Sequence, residues 1–304
     1  MIKQPDLSIV IVTRNNWSFL TQCLKSLYEA PPARVFDVVV VDNASTDGTP
    51  DRLRNAFPSV SIIENPENRG LSAATNQGIR ATAGRYVLLL NDDTLVHGPS
   101  FDALVTFLDA HPDAGAAGGR VLNPDGTTQS CFNAFPTLWQ HLLIATRIGA
   151  LFNETYPAVT SAADCRTVDW ITSACLMLRR KALDSVGLLD EQYFVYGDEV
   201  DLQYRLHRAG WKVYFVPDAT TVHFGGRSMN RWSRRRMVYR GHMLFSAKHY
   251  GKVKTLVLRV LLGLLTIGKL VVWQAAFLIP KWRQRASREV ASNVDVLELC
   301  RRLS

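Results

Sequence analysis

Three short polar clusters stand at the ends of apolar runs: Thr13-Arg14-Asn15 after Leu7–Val12, Asp42-Asn43 after Val38–Val41, and Asn91-Asp92-Asp93 after Tyr86–Leu90. Carboxylate and amide oxygens are hard ligands, so Asn91-Asp92-Asp93 suits Mg2+ or Mn2+, and such an ion can bridge a diphosphate. The same acids would serve equally as caps of a following helix, and Asp42 as a turn residue before Ser45. A fourth cluster, Asp198-Glu199-Val200-Asp201, opens a helical stretch. The positive end of a helix dipole favours acids there whether they cap or catalyse. Neither GxGxxG after the first strand nor GxxxxGK[ST] occurs, so a bound diphosphate must be neutralised without a glycine-rich cradle.

The elements that must position these groups follow from periodicity. Leu7–Val12, Val38–Val41, Val60–Ile63 and Tyr86–Leu90 read as buried parallel strands. Between them Trp17, Leu20, Leu24 and Leu27 recur at helical spacing, and Leu71–Ala83 and Phe101–Leu108 read as helices. Such a βαβ succession predicts a doubly wound α/β sheet, which binds ligands outside the carboxyl ends of its strands. The polar clusters all fall there. Beyond a turn at Asn123-Pro124-Asp125-Gly126, the stretch from about Thr137 to Arg166 has no readable pattern. Val168–Leu178 then reads as one strand, Arg180–Val186 and Glu199–Ala209 as helices, and Lys212–Val216 as a strand. No repeat or low-complexity linker interrupts the chain.

With 304 residues, 47% hydrophobic and 20% charged, the chain is long and apolar enough for one large α/β domain with an appendage. Its five cysteines form no CxxC pair and no even framework, which predicts buried thiols in a reducing compartment. Six apolar residues before Thr13 are too few for a signal-peptide core, so the expected starting point is the cytosol. Charge divides the chain at Gly226. Residues 1–226 hold 18 basic and 24 acidic groups, a net −6, whereas residues 227–304 hold 17 and 3, a net +14. The predicted domains are therefore 1–226, with halves at about 1–120 and 121–226, and a basic helical tail at 227–304.

Within the tail, Val260–Ile279 is apolar except for Lys269 and Gln274, and arginines and lysines flank it. Its length permits a membrane span, but a charge near mid-segment costs roughly 3 kcal/mol on insertion scales, so an in-plane amphipathic helix fits as well. A soluble dimerisation helix is the third reading. Arg234-Arg235-Arg236 and the later arginines favour an anionic lipid surface, and the tail has no nucleic-acid recognition motif, so no nucleic-acid partner is expected.

The order and spacing of the motifs resemble family 2 glycosyltransferases with the GT-A fold, especially bacterial rhamnosyl- and galactofuranosyltransferases. The likeness runs from Leu7 to about Gly225 and includes Val12-Thr13-Arg14-Asn15, Val41–Gly48, Glu64-Asn65, Asn68-Arg69-Gly70, Asn76-Gln77-Gly78 and Leu90–Asp93. Asp169-Trp170, Ala174-Cys175, Leu189-Asp190-Glu191, Phe194–Leu202, Val216-Pro217-Asp218 and His223 continue it. The resemblance implies a GT-A sheet, mixed but mainly parallel, carrying a nucleotide-sugar site. Thr13, Arg14, Asn15 and Asp42 would hold the nucleoside. An ionised carboxylate only accepts, so Asp42 would take the imide N–H of uracil or thymine and refuse cytosine. Asn68, Gly70 and Asn76 would lie near the ribose or diphosphate, Asp93 and His223 would bind the divalent cation, and Asp92 would support them.

For the reaction the resemblance implies inverting transfer, which needs one general base, a held leaving diphosphate and no covalent nucleophile. Glu199 takes the base role, with Asp198 as fallback; Arg205 would either pair with this cluster or approach a phosphate. The implied donor is a dTDP- or UDP-sugar, rhamnose or similar. The implied acceptor is a saccharide, often lipid-linked, in cell-surface polysaccharide synthesis at the cytoplasmic face of the inner membrane. The competing readings are a basic nucleic-acid-binding protein and an inactive scaffold.

Overall fold

A computed structural model describes residues 4–138, 140, 163–225 and 231–302. The β-branched runs become strands, alternating with helices as β1 (Leu7–Thr13), α1 (Trp17–Glu29), β2 (Phe36–Asp42), α2 (Thr49–Ala56), β3 (Ser61–Glu64), α3 (Leu71–Arg80) and β4 (Tyr86–Asn91). There follow β5 (Thr94–Leu95), α4 (Gly98–Ala110), β6 (Ala114–Leu122), β7 (Phe132–Asn133), β8 (Arg166–Val168), β9 (Trp170–Ile171), β10 (Cys175–Arg179), α5 (Arg180–Val186), α6 (Asp198–Arg208) and β11 (Lys212–His223). Nine strands form one sheet in the order β3-β2-β1-β4-β10-β6-β11-β5, with β8 also paired to β11. The pairs β3/β2, β2/β1, β1/β4 and β6/β11 are parallel, whereas β10 is antiparallel to both β4 and β6. The architecture is that of a mixed, mainly parallel sheet covered by helices, with the aliphatic side chains of β1, β2, β4 and β10 buried in its two faces.

Several elements depart from expectation for physical reasons. Val168–Leu178 is not one strand: it breaks into β8, β9 and β10, and β9 leaves the main sheet to pair with β7. Gln203 holds β9 in place by mimicking a strand partner, donating to Ile171 O and accepting from Ile171 N, both at 2.8 Å. Strand β6 reads Ala-Gly-Ala-Ala-Gly-Gly and carries almost no strand propensity, yet it sits between β10 and β11. Close packing demands the small residues: a Cβ on Gly118 would lie 2.6 Å from Ile171 Cγ2, and one on Gly119 would lie 2.2 Å from Ala219 O. The acids after β4 do not cap a helix, because β5 comes first and α4 begins only at Gly98. The Asn123–Gly126 turn forms as expected, with Gly126 N donating to Asn123 O at 2.9 Å. Four cysteines are buried, but Cys165 is exposed. Most of the unpatterned stretch from Thr137 lies outside the described residues.

The described residues group into two compact units. The first comprises the residues up to Phe135, 163–194 and Asp198–Gly225; the second comprises those described between 136 and 140, Val195–Gly197 and 231–302. The second unit is built from α7 (Arg231–His249), α8 (Lys252–Phe277) and α9 (Arg283–Arg302). Met243, Leu258, Leu262, Val296 and Cys300 form its core, and a 2.8 Å ion pair joins Arg235 of α7 to the buried Glu289 of α9. Helix α8 has a mean hydropathy of 2.1 in its most apolar window and is long enough to cross a membrane.

Candidate active site

The parallel register carries Thr13, Asp42 and Asn91 to one edge of the sheet. Thr13 and Asp42 are direct partners across β1 and β2, and Val12 partners Asn91 across β1 and β4. His223, the last residue of β11, reaches the same group through β5, where it partners Thr94. Sequence separations of up to 210 residues are thereby closed by strand pairing alone.

At Asp42 the structure accommodates both readings of the residue. Oδ2 accepts a 2.9 Å hydrogen bond from Ser45 N, which shapes the turn, while Oδ1 is buried with no partner. A buried, unsatisfied carboxylate oxygen is costly in isolation and marks a place for a ligand donor. Asn15 shapes the facing loop: its amide oxygen accepts from Thr46 N at 2.7 Å, its own N–H donates to Ser45 Oγ at 2.8 Å, and it takes a positive φ of 52°. Arg14 is exposed beside it.

The Asn91–Asp93 corner is mostly buried. Thr13 Oγ1 donates to Asp92 Oδ2 at 2.7 Å, so Thr13 serves Asp92 directly. Burial pushes the Asp92 carboxyl up to about 7, against the opposing hydrogen bonds from Thr13 and Asn16. Asp93 Oδ1 lies 3.1 Å from His223 Nε2, and Asn91 Nδ2 lies 3.2 Å from the same nitrogen. His223 Nδ1 is 3.0 Å from Gln129 Oε1, which can only accept, so Nδ1–H donates there, and in the uncharged form of the ring the Nε2 lone pair faces Asp93 and Asn91. A lone pair 3.1 Å from a carboxylate oxygen is the spacing of two adjacent ligands on an octahedral cation with bonds of about 2.1 Å. Among the described residues no group of three or more His, Cys, Asp or Glu side chains is arranged to hold a metal ion by itself. A two-ligand site completed by substrate oxygens and water is the usual Mg2+ arrangement, so the residues present fit the ion.

The third part of the site lies at the start of α6. One cleft is lined by Val12, Leu71, Asn91 and Ser173 together with Asp198 and Glu199. Asp198 is 3% exposed; Oδ1 has no partner, and Oδ2 is 3.0 Å from Ser72 Oγ. The single Ser72 hydroxyl proton goes to Tyr193 O, 2.6 Å away, and burial raises the Asp198 carboxyl above the usual range. Glu199, the next residue along the helix, is the more open of the two. Arg205 is fully occupied with structure: it pairs with Asp201 at 2.8 Å and donates to the carbonyls of Val186, Gly187 and Leu188. Of its two readings, the ion pair within the cluster is the one observed.

Two further residues take positions that their neighbours explain. Gly70 precedes α3 with φ 83° and ψ 167°, and a Cβ there would meet Phe194 O at 2.7 Å, where Leu71 N donates to the same carbonyl. Asn76, 1% exposed, clasps the loop before α6 by donating to Leu189 O and Glu191 and accepting from Leu189 N. Asn68 belongs to an amide network that the sequence reading missed. Asn43 donates to Asn68 Oδ1 and Gly70 O and accepts from Asn65 and Arg69 N, while Asn65 and Gln77 exchange two 2.9 Å hydrogen bonds. Asn43 and Asn65 both directly follow strands, so the strand-end signal was available; Gln129, reached only through the fold, left no such signal.

The chain is similar to known proteins in sequence and in fold. The "Glycosyl transferase family 2" model matches residues 8–187. An N-acetylglucosaminyl-diphospho-decaprenol L-rhamnosyltransferase of Mycobacterium tuberculosis is 32% identical over 241 residues, covering 74% of this chain and 78% of its own. The O-antigen biosynthesis protein RfbC of Myxococcus xanthus is 28% identical over 234 residues, covering 72% of this chain but 17% of its own. Among solved structures, a mannosyltransferase from Pyrobaculum calidifontis in complex with GDP-Man and Mn2+ superposes with a TM-score of 0.58 at 18% identity, covering 97% of this chain and 86% of that one. That likeness establishes the GT-A architecture. With the family model spanning more than half of its length, the chain belongs to glycosyl transferase family 2.

Proposed function

We propose that the protein is an inverting glycosyltransferase that moves a deoxyhexose, rhamnose or a close relative, from a dTDP- or UDP-sugar to a lipid-linked saccharide at the cytoplasmic face of a membrane. The observation that carries this reading is a single cleft lined by both Asn91 and Glu199, which supports a metal-side strand end and a carboxylate base serving one space. The free Asp42 oxygen supports recognition of a uracil or thymine imide. The sugar and the lipid-linked acceptor are suggested by the rhamnosyltransferase relative.

In this mechanism Asp93 and His223 would hold a divalent cation, Mg2+ or Mn2+, whose chemistry is to offset the charge of the departing diphosphate. Glu199 removes the proton from the acceptor hydroxyl as that oxygen bonds to the anomeric carbon. The bond from that carbon to the diphosphate oxygen breaks, and the nucleoside diphosphate leaves with the electron pair. A single displacement inverts the configuration. Burial makes Asp198 harder to ionise than an exposed carboxylate, which favours placing the negative charge on the more open Glu199.

The test is a panel of nucleotide sugars screened for thermal stabilisation with and without Mn2+, followed by NMR of the product anomer. A dTDP- or UDP-sugar should raise the melting temperature most, in the presence of the ion, and the product should be inverted. Retention at the anomeric carbon would overturn the single-displacement mechanism.

A further inference from the structure

Helix α8 has two unlike faces. Leu258, Leu262 and Thr266 are buried in the three-helix unit, whereas Val253, Leu256, Val257, Val260, Leu264, Ile267 and Val271 are each more than 40% exposed. At about 100° per residue the exposed set forms one stripe along the helix, roughly 27 Å from Val253 to Val271. Lys269 falls on the opposite side, toward the packed face, so the charge that interrupts the apolar run in sequence does not interrupt the stripe in space. The loop that follows α8 continues it, with Leu278 79% exposed and Ile279 51% exposed.

We propose that α8 lies in the plane of an anionic membrane, with this stripe sunk into one leaflet, and that it does not span the bilayer. The proposal rests on the membrane placement suggested under the proposed function and specifies how that placement is achieved. Helix α9 decides against a span. It runs antiparallel beside α8 from end to end: Arg259 near the start of α8 donates to the carbonyls of Cys300 and Arg301, and Arg285 near the start of α9 stacks on Trp273 at 5.5 Å. A spanning α8 would carry α9 into the hydrocarbon with Arg283, Arg285, Arg288, Asp295 and Glu298, all of which are exposed. An in-plane α8 leaves those groups in water or among headgroups.

Charge selects the occupant of the stripe. Residues 227–304 carry a net +14, which repels a second copy of the same unit and attracts anionic lipid. Trp273, Trp282 and Arg285 cluster at the C-terminal end of α8, the pairing of aromatic ring and cation that suits headgroup level. A groove of about 490 Å³ beside the stripe, lined by Leu256, Val260, Gly263 and Ile267 together with Arg259 and Arg301, pairs an apolar floor with guanidinium cations. Gly263 has no atom within 4 Å of where a Cβ would stand, so packing within the unit does not require a glycine there.

The experiment places one environment-sensitive fluorescent amino acid at Val257, Leu264 or Val271 of the full-length chain. Each labelled protein is mixed with phosphatidylcholine vesicles containing or lacking phosphatidylglycerol, with bromine on the lipid tails at graded depths. All three positions should be quenched at one shallow depth, and only when anionic lipid is present. A depth that changes progressively, with one position near the bilayer centre, would mean a span. Absence of quenching together with a concentration-dependent dimer would make a second copy the occupant; either result overturns the proposal. Leu264→Glu with Val271→Glu should reduce vesicle binding at least tenfold while donor-induced thermal stabilisation is unchanged, so failure here is separable from failure of the glycosyltransferase reading. Retained vesicle binding in that double variant would also reject the stripe.

Discussion

At the scale of single residues, the site is a set of carboxylates that differ in burial and in hydrogen-bond partners. Asp198 and Glu199 are neighbours in sequence, yet one is buried against Ser72 and the other lines the cleft in a more open position. If Glu199 is the base, Glu199→Gln should lower transfer by about 10²–10⁴-fold with donor affinity kept, whereas a helix-capping role would cost only about 0.3–1 kcal/mol of stability. Transfer rates and melting curves of Glu199→Gln and Asp198→Asn together distinguish the two roles; an active Glu199 variant would end the assignment. Asp92 supplies a pH-dependent test. Its folded carboxyl titrates near 7, above the unfolded value of 3.8, so the stabilising proton is present below 3.8 and is lost as pH rises through about 7. Between pH 5 and 8, in chelator, the wild type should therefore lose about 2–3 kcal/mol relative to Asp92→Asn, at 1.36 kcal/mol per unit. Parallel stability profiles for the two proteins would show that Asp92 is ionised throughout.

At the scale of elements, legibility followed the locality of the cause. β1, β2, β4 and α1 were readable because β-branched runs and three- to four-residue spacing reflect burial directly. β6 was not, because its glycines answer to Ile171 and Ala219, which belong to other strands. The strand-end acids of the site were likewise visible, whereas the link from Gln129 to His223 and the clasp from Asn76 to Leu189 depend on contacts 94 and 113 residues apart. Two glycines separate local from long-range causes. Gly70 and Gly187 both have φ near 80° and an extended ψ, but a Cβ at Gly187 would meet nothing within 4 Å while one at Gly70 would strike Phe194 O. Gly187→Ala should cost about 1–3 kcal/mol from backbone strain alone, and Gly70→Ala more than that, because the loop leading to Asp198 must also move. Urea titration of both variants measures the difference. Equal losses would mean that the close approach at Phe194 adds nothing to the strain.

At the scale of the whole molecule, charge is divided along the chain. Residues 1–226 are net negative and hold every proposed donor-site residue, while residues 227–304 carry the +14 assigned here to an anionic surface. The two sets of interactions should respond differently to salt. Asp93, Asp42 and Asp198 are 4%, 2% and 3% exposed, and contacts at such buried groups are only weakly screened. Attraction of exposed arginines to a charged leaflet instead weakens as the Debye length falls, from about 10 Å at 0.1 M to about 3 Å at 1 M salt. Raising NaCl from 0.1 to 1 M should therefore slow transfer to a lipid-linked acceptor in anionic vesicles several-fold, mainly through KM. Transfer to a water-soluble, short-chain analogue of the same acceptor should change little, since that reaction needs the first unit's chemistry but not surface capture. If both reactions slow equally, the salt acts on the donor site, and the basic residues of 227–304 have no part in bringing enzyme and acceptor together.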